Sequence, residues 1–204
     1  MISTITGAAD LIEAIRRQPD MMTDLQLVAE LKLPQGCIAA GYIRNFVWDV
    51  LHGYAERTPL HDVDVLYYDP SCLDEEAEKA NDAKLRERNP RLNWSVKNQA
   101  RMHLRNGTPP YRSVEDAMRY WPETATAVAA RLNAAGEVEL IAPFGLDDLL
   151  SLRVRQGPYF HDHHVFQKRV HDKEWLRRWP LLKLVEEGAA DSSLNEGASP
   201  RPNG

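Results

Sequence analysis

The sequence predicts an α/β (α+β) domain in which helices flank a mixed sheet. Three observations carry this. A short apolar strand at 37–40 runs into a helix with a continuous apolar stripe, a second strand follows at 62–68, and residues 124–142 read as a hairpin. Strand–helix alternation combined with an antiparallel hairpin yields a mixed sheet.

The elements follow in order along the chain. Residues 8–18 and 22–32 carry apolar side chains at helical spacing, Leu11, Ile12 and Ile15, then Leu25, Val28 and Leu31, and Pro34 and Gly36 stop the second helix. The strand at 37–40 leads into Gly41. Residues 42–54 then place Ile43, Phe46, Val47, Val50, Leu51 and Tyr54 along one buried stripe. Pro59 precedes the strand at 62–68, which is rich in β-branched and aromatic residues. A charged, solvent-facing helix is expected over 73–88, ended by Pro90, and a strand within 93–104. Ser113, with Asp116 three positions on, approaches a capping box. The hairpin turns at 133–137, and a short helix over 146–154 starts on the acids Asp147 and Asp148. Residues 165–186 read as helical, broken at Pro180, and packed back on the domain. The small, polar stretch 188–204 is expected to be a disordered tail, which leaves 1–187 as one domain.

Bulk properties narrow the function. The net charge of −5 argues against long nucleic acid as the main partner, and leaves small nucleotides and carboxylate-held metal ions open. No stretch approaches the roughly 18–20 consecutive apolar residues that span a bilayer, and the opening residues hold no signal-type apolar core, so a cytoplasmic location is expected. Cys37 and Cys72 are too few for a disulfide framework. The histidines 161, 163, 164 and 171 fit no zinc spacing, and Ser95 and Ser113 have no His–Asp partners for hydrolase chemistry. Trp48, Trp94, Trp121, Trp175 and Trp179 read as packing residues.

The chemistry concentrates at Asp62 and Asp64. Two apart in a strand, their carboxylates emerge on one face, while Val63, Val65 and Tyr67 point to the other. Roughly 7 Å apart at about 3.3 Å per residue, they can converge on hard cations, and oxygen-only ligands suit Mg²⁺. Upstream, Ala40 and Gly41 form a small-residue turn before the helix at 42–54. Backbone N–H groups there offer an anion site, with Arg44 in the first helical turn. Lys97, Arg101 and Arg112 are further candidates to grip a triphosphate, and Asn98 and Gln99 offer amides to a base or sugar. By strand alternation Lys97, Gln99 and Arg101 share a face.

The order strand, Gly41-x-x-Arg44-Asn45, helix, then hydrophobic-Asp-hydrophobic-Asp resembles the DNA polymerase β-like nucleotidyltransferases, and is nearest to their poly(A) polymerase and CCA-adding branch. The stretches AAGYIRNFVWDVLHGY, TPLHDVDVLYYD, WSVKNQARMH, PPYRSVEDAMRYWPETATAVAARL and APFGLDDLL, over roughly 37–155, are similar to a small bacterial nucleotidyltransferase-like family within that superfamily. The resemblance implies the polymerase β-like fold and Mg²⁺-dependent transfer of a nucleoside monophosphate from an NTP to an unidentified hydroxyl acceptor. In that reading Asp62 and Asp64 hold the metal, and Ala40, Gly41, Arg44, Lys97 and Arg101 hold the nucleotide. The superfamily's third carboxylate comes from a later strand. The strand at 94–102 holds no acid, so Glu139 is the first candidate and Asp69 the second. Ala40 stands where the superfamily turn usually begins with Gly. That departure and the absent acid favour the alternative, a degenerate nucleotide-binding or regulatory protein of the same fold.

Overall fold

The computed structural model describes residues 4–185, so the tail expected over 188–204 lies outside the described residues. Helices α1 (Ala8–Arg16) and α2 (Pro19–Glu30) come first, the second beginning on Pro19, where a missing N–H costs no helical bond. Strand β1 (Cys37–Ala39), helix α3 (Gly41–Leu51) and strand β2 (Val63–Tyr67) follow. Helix α4 (Glu75–Arg88), capped by the Asp74 carboxylate, crosses over to β3 (Trp94–Asn98). Next come α5 (Gln99–Asn106), α6 (Val114–Met118) and the hairpin β4 (Ala129–Leu132) and β5 (Val138–Ile141). The C-terminal arm comprises α7 (Asp147–Leu150), β6 (Arg153–Arg155), α8 (His163–Asp172), α9 (Trp175–Arg178) and β7 (Lys183–Val185).

The mixed five-stranded sheet runs β3-β2-β1-β4-β5, and β6 pairs with β7 in a separate ribbon. Only the β2–β3 pair of the large sheet is parallel, as its crossover through α4 requires. Alternation sorts the strands cleanly. Ile38, Val63, Val65, Tyr67, Val96 and Ala130 join the main core with α1, α2 and α3. Cys37, Ala39, Leu66 and Ala129 face the other way, against Val114 and Met118 of α6. Asp64, between Val63 and Val65, therefore shares the face of Leu66. Among the described residues, no helix is long and apolar enough to cross a membrane.

Several local expectations change: the helix expected over 146–154 is α7 followed by β6, and Tyr54, expected on the buried stripe, lies beyond α3 and is exposed. The strand within 93–104 stops at Asn98, whose side-chain carbonyl accepts the Ala100 N–H at 3.1 Å and caps α5, so Lys97, Gln99 and Arg101 do not share a strand face. Residues 124–126 form a 3₁₀ turn ahead of the hairpin rather than its first strand. Residues 165–186, expected as helix, contain α8, α9 and β7. Ser113 caps α6 as expected, accepting the Asp116 N–H at 3.0 Å.

Candidate active-site cleft

Asp64 and Asp62 lie where β2 begins, beside the C-terminal end of β1, since Asp64 pairs with Ala39 across the antiparallel β1–β2 ladder. Asp62 is exposed and Asp64 half-buried. Burial, reinforced by the charge of Asp62, pushes the Asp64 carboxyl up from 3.8 to about 6, while Arg44, Lys173 and Arg169 pull against that shift. Two like-charged carboxylates side by side, one of them poorly hydrated, form a donor set that a hard cation relieves.

The turn leading into α3 is strained. Ala40 has φ 55° and ψ −125°, in the region that favours glycine, and its N–H donates to Val128 O at 2.9 Å. The next residues open α3 with no side-chain cap, so the Gly41 and Tyr42 N–H groups have no helical acceptor, and Gly41 lines the cleft. We expect Ala40→Gly to stabilise the protein by about 1 kcal/mol, the strain relieved less the chain entropy added, a rise in Tm of about 2–4 °C. A thermal melt checks this, and a lower Tm would show that the turn is relaxed with alanine.

Arg44 is more deeply engaged than a solvated phosphate ligand. It is buried, its Nη1 donating to Thr126 Oγ1 at 2.8 Å and its Nη2 to Asn45 Oδ1 at 2.9 Å. Its guanidinium lies 4.9 Å from the Trp48 ring centre and 4.4 Å from that of Trp175. Burial lowers its pKa to about 10, so it stays cationic, a fixed positive charge facing Asp64, Asp62 and Glu123.

The far wall comes from the C-terminal arm. Arg169 of α8 is 35% exposed, and its Nε donates at 2.8 Å to Oε1 of the fully buried Glu123. Lys173 follows at the end of α8. Gly41, Arg44, Asp62, Asp64, Arg169 and Lys173 together line a narrow cavity of about 90 Å³. Beyond Asp64 and Arg169 the cleft widens into a second cavity of about 660 Å³. Trp175 and Trp179 hold this arm edge-on against Trp48 of α3, at 5.6 and 5.1 Å between ring centres. Sequence reading missed Glu123, Arg169 and Lys173. The only signal was a cluster of basic residues in a segment read as packing.

Other candidates fall elsewhere. Glu139, expected as the third acid, is corrected by its strand. It lies on β5, separated from β2 by β1 and β4, about 14 Å away at three strand spacings of about 4.8 Å. There it is ion-paired with Arg131 at 2.7 Å, which lowers its pKa. Asp69, at the opposite end of β2, accepts the Ser71 N–H at 2.9 Å in a tight turn. Arg101 sits on α5 and grips the fully buried Glu78 with Nε and Nη2 at 3.2 and 2.8 Å, away from the acid pair. Lys97 lines the wide cavity on the face of Asp64 but also reaches Glu78, at 3.4 Å. Asn98 donates to Asp69 O and Cys72 O at 2.7 and 2.8 Å, a structural role. Arg112 lines a separate hollow beside Tyr120. The structure thus brings together Ala40, Gly41, Arg44, Asp62 and Asp64, with Lys97 at the margin, and leaves Arg101 and Glu139 outside.

Comparison with known proteins agrees with this geometry. The profile of a family described as Nucleotidyltransferase matches residues 26–184. A solved NMR structure that reveals a CCA-adding enzyme head domain is 35% identical, with a TM-score of 0.80, covering 91% of this chain and 99% of its own. A CCA-adding enzyme in complex with CTP is 16% identical, with a TM-score of 0.53, over 89% of this chain and 44% of that one. The Thermotoga maritima CCA-adding enzyme complexed with tRNA is 15% identical, with a TM-score of 0.54, over 89% of this chain and 43% of that one. These last two share the fold alone, and this chain spans less than half their length. No curated protein matches the sequence.

Proposed function

The chain belongs to the nucleotidyltransferase family and has the polymerase β-like fold of a CCA-adding enzyme head, and on that premise we propose that its cleft transfers a nucleoside monophosphate from an NTP to a hydroxyl acceptor. One observation carries the reading: Asp62 and Asp64 stand between the uncapped start of α3 and the cations Arg169 and Lys173, in a single narrow cavity. Carboxylates on one side and anion-binding groups on two others suit a polyphosphate escorted by a hard cation.

In this reading Asp62 and Asp64 would hold Mg²⁺. Among the described residues no cluster of three or more His, Cys, Asp or Glu could hold a metal ion, so phosphate oxygens complete the set. Bound there, the ion supplies activation of the attacking hydroxyl and charge neutralisation of the departing pyrophosphate. The chain's own groups position the phosphates: the Gly41 N–H at the start of α3, Lys173, and Arg169 braced by Glu123. Arg44 holds the acid pair's potential in balance from within the core. The net charge of −5 makes a long nucleic acid a poor acceptor, although a relative of this fold is complexed with tRNA.

Thermal-shift binding of the four NTPs, with and without Mg²⁺, tests the proposal on wild type, Asp62→Asn and Asp64→Asn. Stabilisation that needs both metal and carboxylates is the expected result, followed by transfer of label from an α-labelled NTP. Among the described residues no third acid joins the pair, which favours a second reading, nucleotide binding without transfer. Metal-independent stabilisation would select it. Arg169→Ala is expected to weaken NTP binding by on the order of tenfold or more through loss of a charge-assisted phosphate contact. Titration calorimetry checks this, and unchanged affinity would remove Arg169 from the phosphate site.

A further inference from the structure

Tyr120 and Tyr159, which line the wide lobe of the cleft, belong to an aromatic ladder that the phosphate chemistry does not use. Tyr111 is buried, its hydroxyl accepting from Thr108 Oγ1 at 2.7 Å and from Asn106 Nδ2 at 3.1 Å. Tyr120 leans on it, with ring centres 5.2 Å apart and planes 40° apart, and Tyr159 leans on Tyr120 at 5.6 Å and 38°. The innermost ring is fixed, and the outermost is 51% exposed. Tyr159 lines both the wide lobe and the neighbouring hollow of Arg112, and a large aromatic half in water and stacked on one side is a surface that a second planar group can cover.

The loop that presents Tyr159 is rigidly placed. A side chain at Gly157 would put its Cβ 2.3 Å from the Trp121 carbonyl oxygen, so the backbone packs where only glycine fits. The Gly157 N–H donates to Pro122 O at 2.9 Å, and the Phe160 N–H closes the turn on Gly157 O at 3.0 Å. Tyr120 and Tyr159 line the same cavity of about 660 Å³ as Asp64, Arg169, Lys97 and Arg105. That volume lies within the roughly 300–1,000 Å³ range of small-molecule sites. Cations and an exposed ring in one lining suit an anion that carries an aromatic plane.

We propose that Tyr159, backed by Tyr120 and Tyr111, is the stacking platform for a nucleobase bound in the wide lobe of the cleft. The inference rests on the transfer reading for the presence of a nucleotide, but not for which one. The base belongs either to the donor NTP or to a nucleotide at the end of the acceptor. Stacking on a tyrosine face accepts any base, so the platform confers affinity and orientation rather than base choice.

Calorimetric binding of the four NTPs, of tripolyphosphate and of a short single-stranded RNA, each with Mg²⁺, tests this on wild type, Tyr159→Ala and Tyr159→Phe. Tyr159→Ala is expected to weaken nucleotide binding by on the order of tenfold or more while tripolyphosphate binding holds, and Tyr159→Phe is expected to bind as wild type does. Loss confined to NTPs assigns the platform to the donor base, and loss confined to RNA assigns it to the acceptor. The proposal is overturned if Tyr159→Ala leaves both affinities unchanged. It is equally overturned if tripolyphosphate binding falls in step, or if wild type binds nucleotides no tighter than tripolyphosphate. Failure of the transfer reading has a different signature: wild-type NTP binding that Asp62→Asn and Asp64→Asn do not alter.

Discussion

Asp64→Asn is expected to abolish nucleotidyl transfer and, in the metal-free protein, to raise stability. The two effects have one origin. Asp64 is desolvated and next to Asp62, so its folded pKa is about 6 against an ordinary 3.8. Between those values the folded state holds a proton that the unfolded chain has lost, so stability falls as pH rises through that window. Above it the carboxylate is ionised in both states and the full penalty remains. Asparagine carries no charge, so the variant escapes a penalty on the order of 2 kcal/mol near neutral pH and gains nothing below about pH 4. Urea melts in EDTA at about pH 8 and about pH 4 read this directly. A stability gap that does not change with pH would mean that Asp64 is well solvated. Transfer should fall by on the order of 10³-fold or more, because on the proposed reading a carboxylate that would hold the metal is gone. Wild-type turnover in Asp64→Asn would remove the metal-site assignment.

Trp179→Ala is the substitution expected to cost most in stability, about 3–5 kcal/mol. The side chain is 1% exposed and packs edge-on against Trp48, and its Nε1 donates to Asp49 Oδ1 at 2.7 Å. Asp49 is itself buried and also accepts the Thr58 N–H at 2.7 Å and the Thr58 hydroxyl at 2.6 Å. Truncation therefore leaves a cavity among indoles and removes one of three donors to a buried carboxylate. Trp179→Phe keeps most of the packing and loses the hydrogen bond, for about 1–2 kcal/mol. Urea denaturation of the two variants separates the packing and hydrogen-bond contributions. A cost below about 1 kcal/mol for the alanine variant would mean that the arm does not depend on this anchor. NTP affinity should fall with Trp179→Ala as well, because Trp48 also carries Arg44 and the arm also carries Arg169.

What was legible in the sequence was local. The stripe begun by Ile43, Phe46 and Val47 and the alternation around Asp64 each lie within one element, where periodicity picks out core-facing side chains. The hairpin turn at 133–137 is likewise marked by its own residues, with Asn133 Oδ1 accepting the Ala135 and Glu137 N–H groups at 2.9 Å. Asn98 was legible in principle as a cap, and reading it so would have ended β3 before Arg101. What was not legible depends on how distant elements meet. Glu139 was plausible as long as its strand could neighbour β2, and strand order is set by whole-sheet packing rather than by any local pattern. Glu123 and Arg169 find each other across 46 residues, and nothing in either neighbourhood announces the pair.

The dependence of the cleft on α8 has a consequence for biosynthesis. Ribosomes deliver the acid pair early and Arg169 and Lys173 near the end of the described chain. A nascent chain can thus build the sheet around Asp62 and Asp64 while the site still lacks its outer cations. The Tyr54 hydroxyl, donating to Arg178 O at 2.6 Å, and the Leu181 N–H, donating to His52 Nε2 at 3.0 Å, tie the arm to the segment that ends α3. On the proposed reading, a product terminated before α8 carries the acids without Arg169 and Lys173, the cations that would grip a substrate.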